Sequence, residues 1–108
     1  MVADRVSAEL FAWPGGTLDR RRLTRCALAR VCGACEATLA RPIVFLGTTE
    51  EVARNEFHAP PLHAACVPQV QAVLGPLEAV RTSGFEFVRP ARDDRDPAPR
   101  FVPNSLLI

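Results

Sequence analysis

The sequence predicts a small α+β domain with a flanking helix and strands, and three observations support this fold class. The segment at residues 42–46 is apolar and rich in β-formers, as expected of a buried strand. Apolar residues recur at helical spacing over residues 18–30 and again from residue 62. Two pairs of cysteine or histidine residues, each pair separated by two residues, accompany these segments and would tie them together.

The first third of the chain is predicted to form a strand and then a helix. Residues 6–13 favour a strand that ends at the Pro-Gly-Gly turn of residues 14–16. Thr17 is the predicted N-cap of a helix over residues 18–30, with Asp19 in its first turn. Leu23, Cys26 and Ala27 share one face of this helix and are expected to point inward.

The middle of the chain is predicted to form a turn, a short hairpin and a short helix. Residues 31–35 make a glycine-bearing turn, and the hairpin that follows would contain the strand at residues 42–46. The sequence Thr-Thr-Glu-Glu at residues 48–51 resembles a capping box, which predicts a helix over residues 49–56.

The last third is predicted to contain one helix and one strand. The helix begins after Pro60-Pro61, at residue 62, and is broken at Gly75-Pro76. The alternating sequence at residues 85–88 favours a last strand.

Length and composition fit one compact domain and a tail. The chain has 108 residues, 48% of them hydrophobic, but only six Phe, one Trp and no Tyr. Because so short a chain buries a limited fraction of its surface, a staple would add stability. We predict one domain over residues 1–90, and a proline-punctuated extended tail over residues 91–108 with apolar residues near its end.

Charge and hydropathy limit where the protein is expected to be located and which classes of partner it is expected to bind. Thirteen arginines against twelve acidic residues leave a net charge of +1, which does not favour a protein that mainly neutralises phosphates. The first ten residues carry three charges and no continuous apolar segment, so no secretory leader is expected. No run approaches the roughly 18 apolar residues of a membrane span. We therefore expect no membrane partner and a cytoplasmic chain, in which cysteines are more often reduced or metal-bound than disulfide-paired.

The two residue pairs have the spacing of zinc ligands. Cys32 and Cys35 form a CxxC pair, His63 and Cys66 form an HxxC pair, and 27 residues lie between the two pairs. Zinc takes four nitrogen or sulfur donors in a tetrahedron, and two intervening residues let a short turn aim both donors at one point. Gly33 would supply the backbone twist of such a knuckle. At the start of the predicted helix, the HxxC pair lies on one face. The sequence thus predicts one zinc ion with these four ligands.

The order of knuckle, hairpin, connection and ligand-bearing helix resembles the treble-clef zinc finger over residues 30–75. The CxxC pair, the apolar strand and Pro60-Pro61-Leu62-His63-Ala64-Ala65-Cys66 are also similar to small, mostly uncharacterised actinobacterial proteins with CxxC and Pro-x-Leu-His-x-x-Cys motifs. This resemblance implies a zinc ion and a treble-clef-like fold, but no settled activity. Treble clefs serve nucleic-acid binding, protein binding and, rarely, nuclease chemistry.

Other interpretations of the cysteines stay open at this stage. The four cysteines could form two disulfides, a thioredoxin-like redox pair, or unligated core thiols. Cys26 is interpreted as a buried structural thiol, although it could replace a ligand. His58 is interpreted as a surface histidine and is the first reserve ligand if His63 is not one.

A site of three thiolates and one imidazole is closed, and this favours a structural role. A catalytic zinc normally keeps one position for water or substrate. The sequence also contains no Ser/His/Asp arrangement, no phosphate-binding glycine loop and no paired carboxylates in distinct environments. We therefore predict a binding module and not an enzyme.

Two classes of partner are considered. The first is another protein, contacted through Phe11, Trp13 and the apolar residues 106–108. The alternative is a nucleic acid, bound through a basic cluster on the predicted helix. The basic cluster comprises Arg20, Arg21, Arg22, Arg25 and Arg30. A solvated helix face would have the same composition.

Overall fold

Three helices and two antiparallel sheets make up the fold in a computed structural model, which describes residues 10–94 and 97–106. The helices are α1 (Arg20–Ala29), α2 (Thr49–Arg54) and α3 (Val67–Leu74). One sheet has the order β2-β1-β3 and consists of β1 (Ile43–Gly47), β2 (Leu62–His63) and β3 (Glu78–Thr82). The other sheet pairs β4 (Phe85–Val88) with β5 (Arg100–Pro103). These elements confirm the predicted α+β class, and no helix in the described part of the chain is long and apolar enough to cross a membrane.

The first helix begins later than predicted. Its N-cap is Asp19, whose carboxylate accepts a hydrogen bond from the Arg22 N–H at 2.9 Å, so the assignment of this role to Thr17 was wrong. The Asp19 carboxylate can accept hydrogen bonds from the free N–H groups in the first turn of α1. The Thr17 hydroxyl lies two residues further from that turn along the chain. The predicted inward face is confirmed, since Leu23, Cys26 and Ala27 are all buried.

The segment before α1 differs from the predicted strand. Residues 6–9 of that prediction lie outside the described residues. Leu10 and Trp13 form a single antiparallel bridge, and a 3-10 turn follows at Pro14–Gly16. Trp13 is only 4% exposed and packs in the core, so its predicted role as an exposed contact residue was wrong. A large indole in a small domain is more useful as buried apolar area than as exposed surface.

The central strand β1 is buried along its whole length. It pairs with β2 at Ile43↔His63 and with β3 from Ile43↔Thr82 to Gly47↔Glu78. The predicted local hairpin before β1 was wrong, because both neighbours of β1 come from later in the chain. The preceding loop makes only the isolated bridge Val31↔Thr38.

The capping box before α2 is confirmed. The Thr48 hydroxyl accepts a hydrogen bond from the Glu51 N–H at 3.2 Å, and the Glu51 carboxylate accepts one from the Thr48 N–H at 2.9 Å. The second carboxylate oxygen of Glu51 accepts the backbone N–H of His58 at 3.1 Å and contacts the His58 ring. Glu51 therefore fixes both the start of α2 and the turn that follows it.

A cluster of phenylalanines joins β1 to the second sheet. Phe101 lies on β5, is 0% exposed, and has its ring 5.5 Å from that of Phe45 and 5.6 Å from that of Phe85. The backbone of Phe57 exchanges two hydrogen bonds with Phe101, at 2.8 and 2.7 Å. Residues 100–103 fall within the predicted extended tail, but here they form a strand that completes the core.

Candidate metal centre

The CxxC pair lies on a knuckle that is held by backbone hydrogen bonds. The Cys32 carbonyl accepts a bond from the Glu36 N–H, and the Cys32 N–H donates to the Ala37 carbonyl, both at 2.9 Å. The Gly33 N–H donates to the Pro61 carbonyl at 2.8 Å, which ties the knuckle to the second ligand pair. The first two bonds close the knuckle, and the third holds it against a segment that is distant in the sequence.

Gly33 serves the knuckle in a different way from the one predicted. Its φ does not lie in the left-handed range; within the knuckle it is Glu36 that has a positive φ, of 65°. A Cβ on Gly33 would instead lie 2.7 Å from Cγ of Pro60. Because that distance is shorter than two carbons tolerate, the close approach of Pro60 is what requires glycine here.

The HxxC pair lies where β2 turns toward α3. His63 is the last residue of β2 and pairs with Ile43 of β1. Cys66 ends the 3-10 turn Ala64–Cys66 and caps α3. The pair was predicted on the first turn of a helix, whereas the structure places it on a strand end and a 3-10 turn.

The four predicted ligands form one compact group. The ligand atoms of Cys32, Cys35, His63 and Cys66 all lie within 4.8 Å of one another. Nδ1 of His63 is 3.3 Å from Sγ of Cys35 and 3.9 Å from Sγ of Cys66. Donors of a tetrahedral zinc, with bonds of about 2.0–2.3 Å, lie about 3.3–3.8 Å apart. The group therefore fits one metal ion such as zinc.

The His63 ring is oriented for coordination through Nδ1. Its Nε2 lies 2.8 Å from the Thr38 carbonyl oxygen, and a carbonyl only accepts, so Nε2 carries the proton and donates. Nδ1 then has its lone pair free and faces the sulfurs. A second-sphere bond of this kind, from the distal nitrogen to a carbonyl, is what fixes the tautomer of a metal-ligating histidine.

Backbone amides stabilise negative charge on Cys32. Its Sγ accepts hydrogen bonds from the N–H groups of Ala34, at 3.3 Å, and His63, at 3.4 Å, and its side chain is fully buried. Such bonds are stronger to a thiolate than to a thiol. Backbone hydrogen bonds therefore stabilise negative charge on the sulfur of Cys32, the most buried of the three cysteines.

The pKa values of Cys35 and Cys66 shift in opposite directions. Desolvation acts to raise the pKa of Cys35, but the Ala37 N–H and the hydrogen bonds with Cys32, His63 and Cys66 outweigh it, and the pKa lies below its ordinary value. Burial, together with the charges of Cys32 and Cys35, raises the pKa of Cys66 to about 12. Negative charges on neighbouring sulfurs repel each other, and a bound divalent cation would offset that repulsion.

The two reserve ligands lie outside the group. Cys26 is 0% exposed in the core beneath the knuckle, and burial raises its pKa to about 12, as expected for an inert structural thiol. His58 contacts Glu51 and is not a member of the ligand group. All four cysteines are free thiols, and no other group of three or more potential ligands lies together among the described residues.

The basic cluster is largely engaged within the molecule. Arg22 donates to the Phe11 carbonyl at 2.9 Å and stacks on the Phe11 ring. Arg25 pairs with Glu36 of the knuckle at 2.9 Å, and the guanidinium of Arg30 lies 4.4 Å from the centre of the Phe85 ring. Arg20 and Arg21 are exposed.

Comparisons with protein-family models, with curated proteins and with solved structures found no match to this chain. The metal-ligand group and its surroundings are therefore the features of this chain that point to a function.

Proposed function

We propose that this protein is a non-catalytic module with one structural zinc ion, of treble-clef type, that acts by binding another protein. The observation that carries the proposal is the Cys₃His group within 4.8 Å, with the distal nitrogen of His63 fixed on Thr38. Four protein donors fill a tetrahedron and leave no position for a substrate, which favours structure over catalysis. When bound, the ion would supply a cross-link between the knuckle and the segment that leads into α3.

The surface supports a protein partner better than a nucleic acid. Three of the five clustered arginines also contact Phe11, Glu36 and Phe85, so that a phosphate would have to compete with these contacts. Among the described residues, the exposed large apolar side chains are those of Leu18, Leu28, Val73 and Leu106, with 64% exposure for Leu28 and 56% for Leu106. Apolar anchors of this kind contribute to protein interfaces, whereas phosphate contacts dominate nucleic-acid affinity.

We expect purified protein to contain one zinc ion per chain. Elemental analysis of protein expressed in zinc-supplemented medium should give a ratio of about one, because a single tetrahedral site is available. Cobalt substitution should add the visible and thiolate charge-transfer absorption of a tetrahedral site with three sulfur ligands. A ratio of about zero, or a cobalt spectrum of octahedral type, would contradict the proposal.

The two partner classes are separated by the response to salt. We expect zinc-loaded protein to show no tight gel shift with duplex or single-stranded DNA or with RNA, and Arg20→Gln/Arg21→Gln to change nothing. The matched control is Arg41→Gln/Arg81→Gln, which removes the same charge from exposed positions outside the cluster. A tight shift that falls steeply with salt, and that only the first pair of changes abolishes, would overturn the protein-binding proposal in favour of nucleic acid.

A positive test uses photo-crosslinking side chains placed at Leu28 or Leu106, with Glu86 as an exposed polar control. We expect a discrete crosslinked protein at an apolar position, absent at Glu86 and absent when Cys66→Ser removes a ligand. Equal crosslinking at all three positions would indicate non-specific encounters and count against an apolar interface.

A further inference from the structure

The three sulfurs of the metal centre differ in their access to solvent. Cys32 is fully buried and Cys66 is partly buried, whereas Cys35 is exposed. Cys35 also lines an open groove of about 430 Å³. The other lining residues are Leu10, Phe11, Arg22, Ala34, Glu36 and Gln69. Cys35 is thus the one cysteine of the group among the residues that line this groove.

Backbone hydrogen bonds further distinguish Cys32. The Ala34 and His63 N–H groups donate to its sulfur, at 3.3 and 3.4 Å. Hydrogen bonds to a thiolate withdraw charge from the sulfur and lower its reactivity toward electrophiles. Cys32 is thus protected by burial and by two amides, and it is the least reactive ligand on both grounds.

We propose that Cys35 is the modification site of this centre, the ligand at which a hydroperoxide attacks and thereby opens the site. The inference depends on the zinc module proposed above. It goes beyond that proposal by naming the reactant, a hydroperoxide, and the residue that reacts, Cys35. The donor set alone indicates only a structural role.

The reaction is a two-electron oxidation with a defined order. The Cys35 thiolate attacks one peroxide oxygen; an S–O bond forms, the O–O bond breaks, and the other oxygen leaves as hydroxide or alkoxide. Cys35 is then a sulfenic acid.

The Cys66 thiolate, within 4.8 Å in the same group, attacks that sulfur and expels hydroxide, which leaves a Cys35–Cys66 disulfide. Two thiolates have lost two electrons and the peroxide has gained them. Cys32 and His63 remain as two ligands, too few to retain the metal.

The experiment uses the full zinc-loaded chain, whose metal content is first measured by elemental analysis. A result of no zinc would contradict the proposed function itself, before any peroxide is added.

Hydrogen peroxide is then added at limiting concentration with a chromogenic zinc chelator and with dimedone, which traps sulfenic acids. We expect dimedone adducts at Cys35 to exceed those at Cys32 and Cys66 by about fivefold or more, because reaction follows exposure. Without dimedone, zinc release should parallel formation of the Cys35–Cys66 disulfide, and dithiothreitol with added zinc should restore the metal content.

The matched variant is Cys35→His, which keeps four nitrogen or sulfur donors but removes the exposed thiolate. We expect it to retain zinc and to release it at least about tenfold more slowly with peroxide. If histidine at this position fails to hold the metal, the adduct map of the unaltered chain still decides the question. First adducts at Cys66, Cys32 or Cys26, or an unchanged release rate in a zinc-loaded Cys35→His variant, would overturn the inference.

Discussion

Cys32→Ser is expected to abolish zinc binding and to leave the chain without a cooperative unfolding transition. Structural zinc contributes an apparent binding free energy of roughly 10–16 kcal/mol in small zinc-finger peptides, and a domain this short has no comparable reserve. Cys32 is also 0% exposed and accepts two backbone hydrogen bonds, so its loss affects both the metal and the knuckle. Circular dichroism on heating and elemental analysis measure the two effects.

The matched control for this change is Cys26→Ala. Cys26 is buried as deeply as Cys32 but lies outside the ligand group, so the substitution should cost about 1 kcal/mol and leave the zinc content unchanged. A Cys26→Ala variant that releases zinc, or a Cys32→Ser variant that keeps it, would show that the ligand assignment is wrong.

Phe101→Ala is expected to have the second largest effect, a loss of about 3–5 kcal/mol in the free energy of unfolding. The ring is completely buried against Phe45, Phe85 and Phe87, with centroid distances of 5.5, 5.6 and 5.1 Å. Removing it leaves a cavity between the two sheets. Urea unfolding of the zinc-loaded protein measures the change.

Leu106→Ala is the control for the same end of the chain. Its side chain is 56% exposed, so we expect a change within about 0.5 kcal/mol. If Phe101→Ala also costs less than about 1 kcal/mol, β5 contributes little to the core, and residues 91–108 behave as the separate tail that the sequence predicts.

The sequence predicts local features of this fold well. The capping box at Thr48 and Glu51, the inward face of α1 and the central strand β1 all follow from residue types within a few positions of one another. The ligand group is also accessible from sequence, because two CxxC-like pairs need only a turn each to aim their donors. Each of these predictions depends on short-range geometry.

The features missed by sequence reasoning depend on long-range packing. β3 has the sequence Glu-Ala-Val-Arg-Thr, which carries little apolar signal because its side chains are mostly exposed and its pairing with β1 defines it. β5 lies among prolines that indicate an extended tail, and only the Phe57 backbone and the Phe cluster reveal it as a strand. Trp13 looks like a contact residue until the core beneath the knuckle is seen to enclose it.

The order of the elements along the chain has a consequence for synthesis on the ribosome. Once Cys66 has emerged, all four candidate ligands are outside the ribosome, and so is β2, one of the two neighbours of β1. Its other neighbour, β3, comes later, and Phe101, which closes the aromatic cluster, comes near the end of the chain. A nascent chain could therefore bind the proposed metal ion while much of the apolar surface of β1 is still uncovered. On the zinc proposal, zinc supply during translation would then determine how long that surface stays exposed to aggregation.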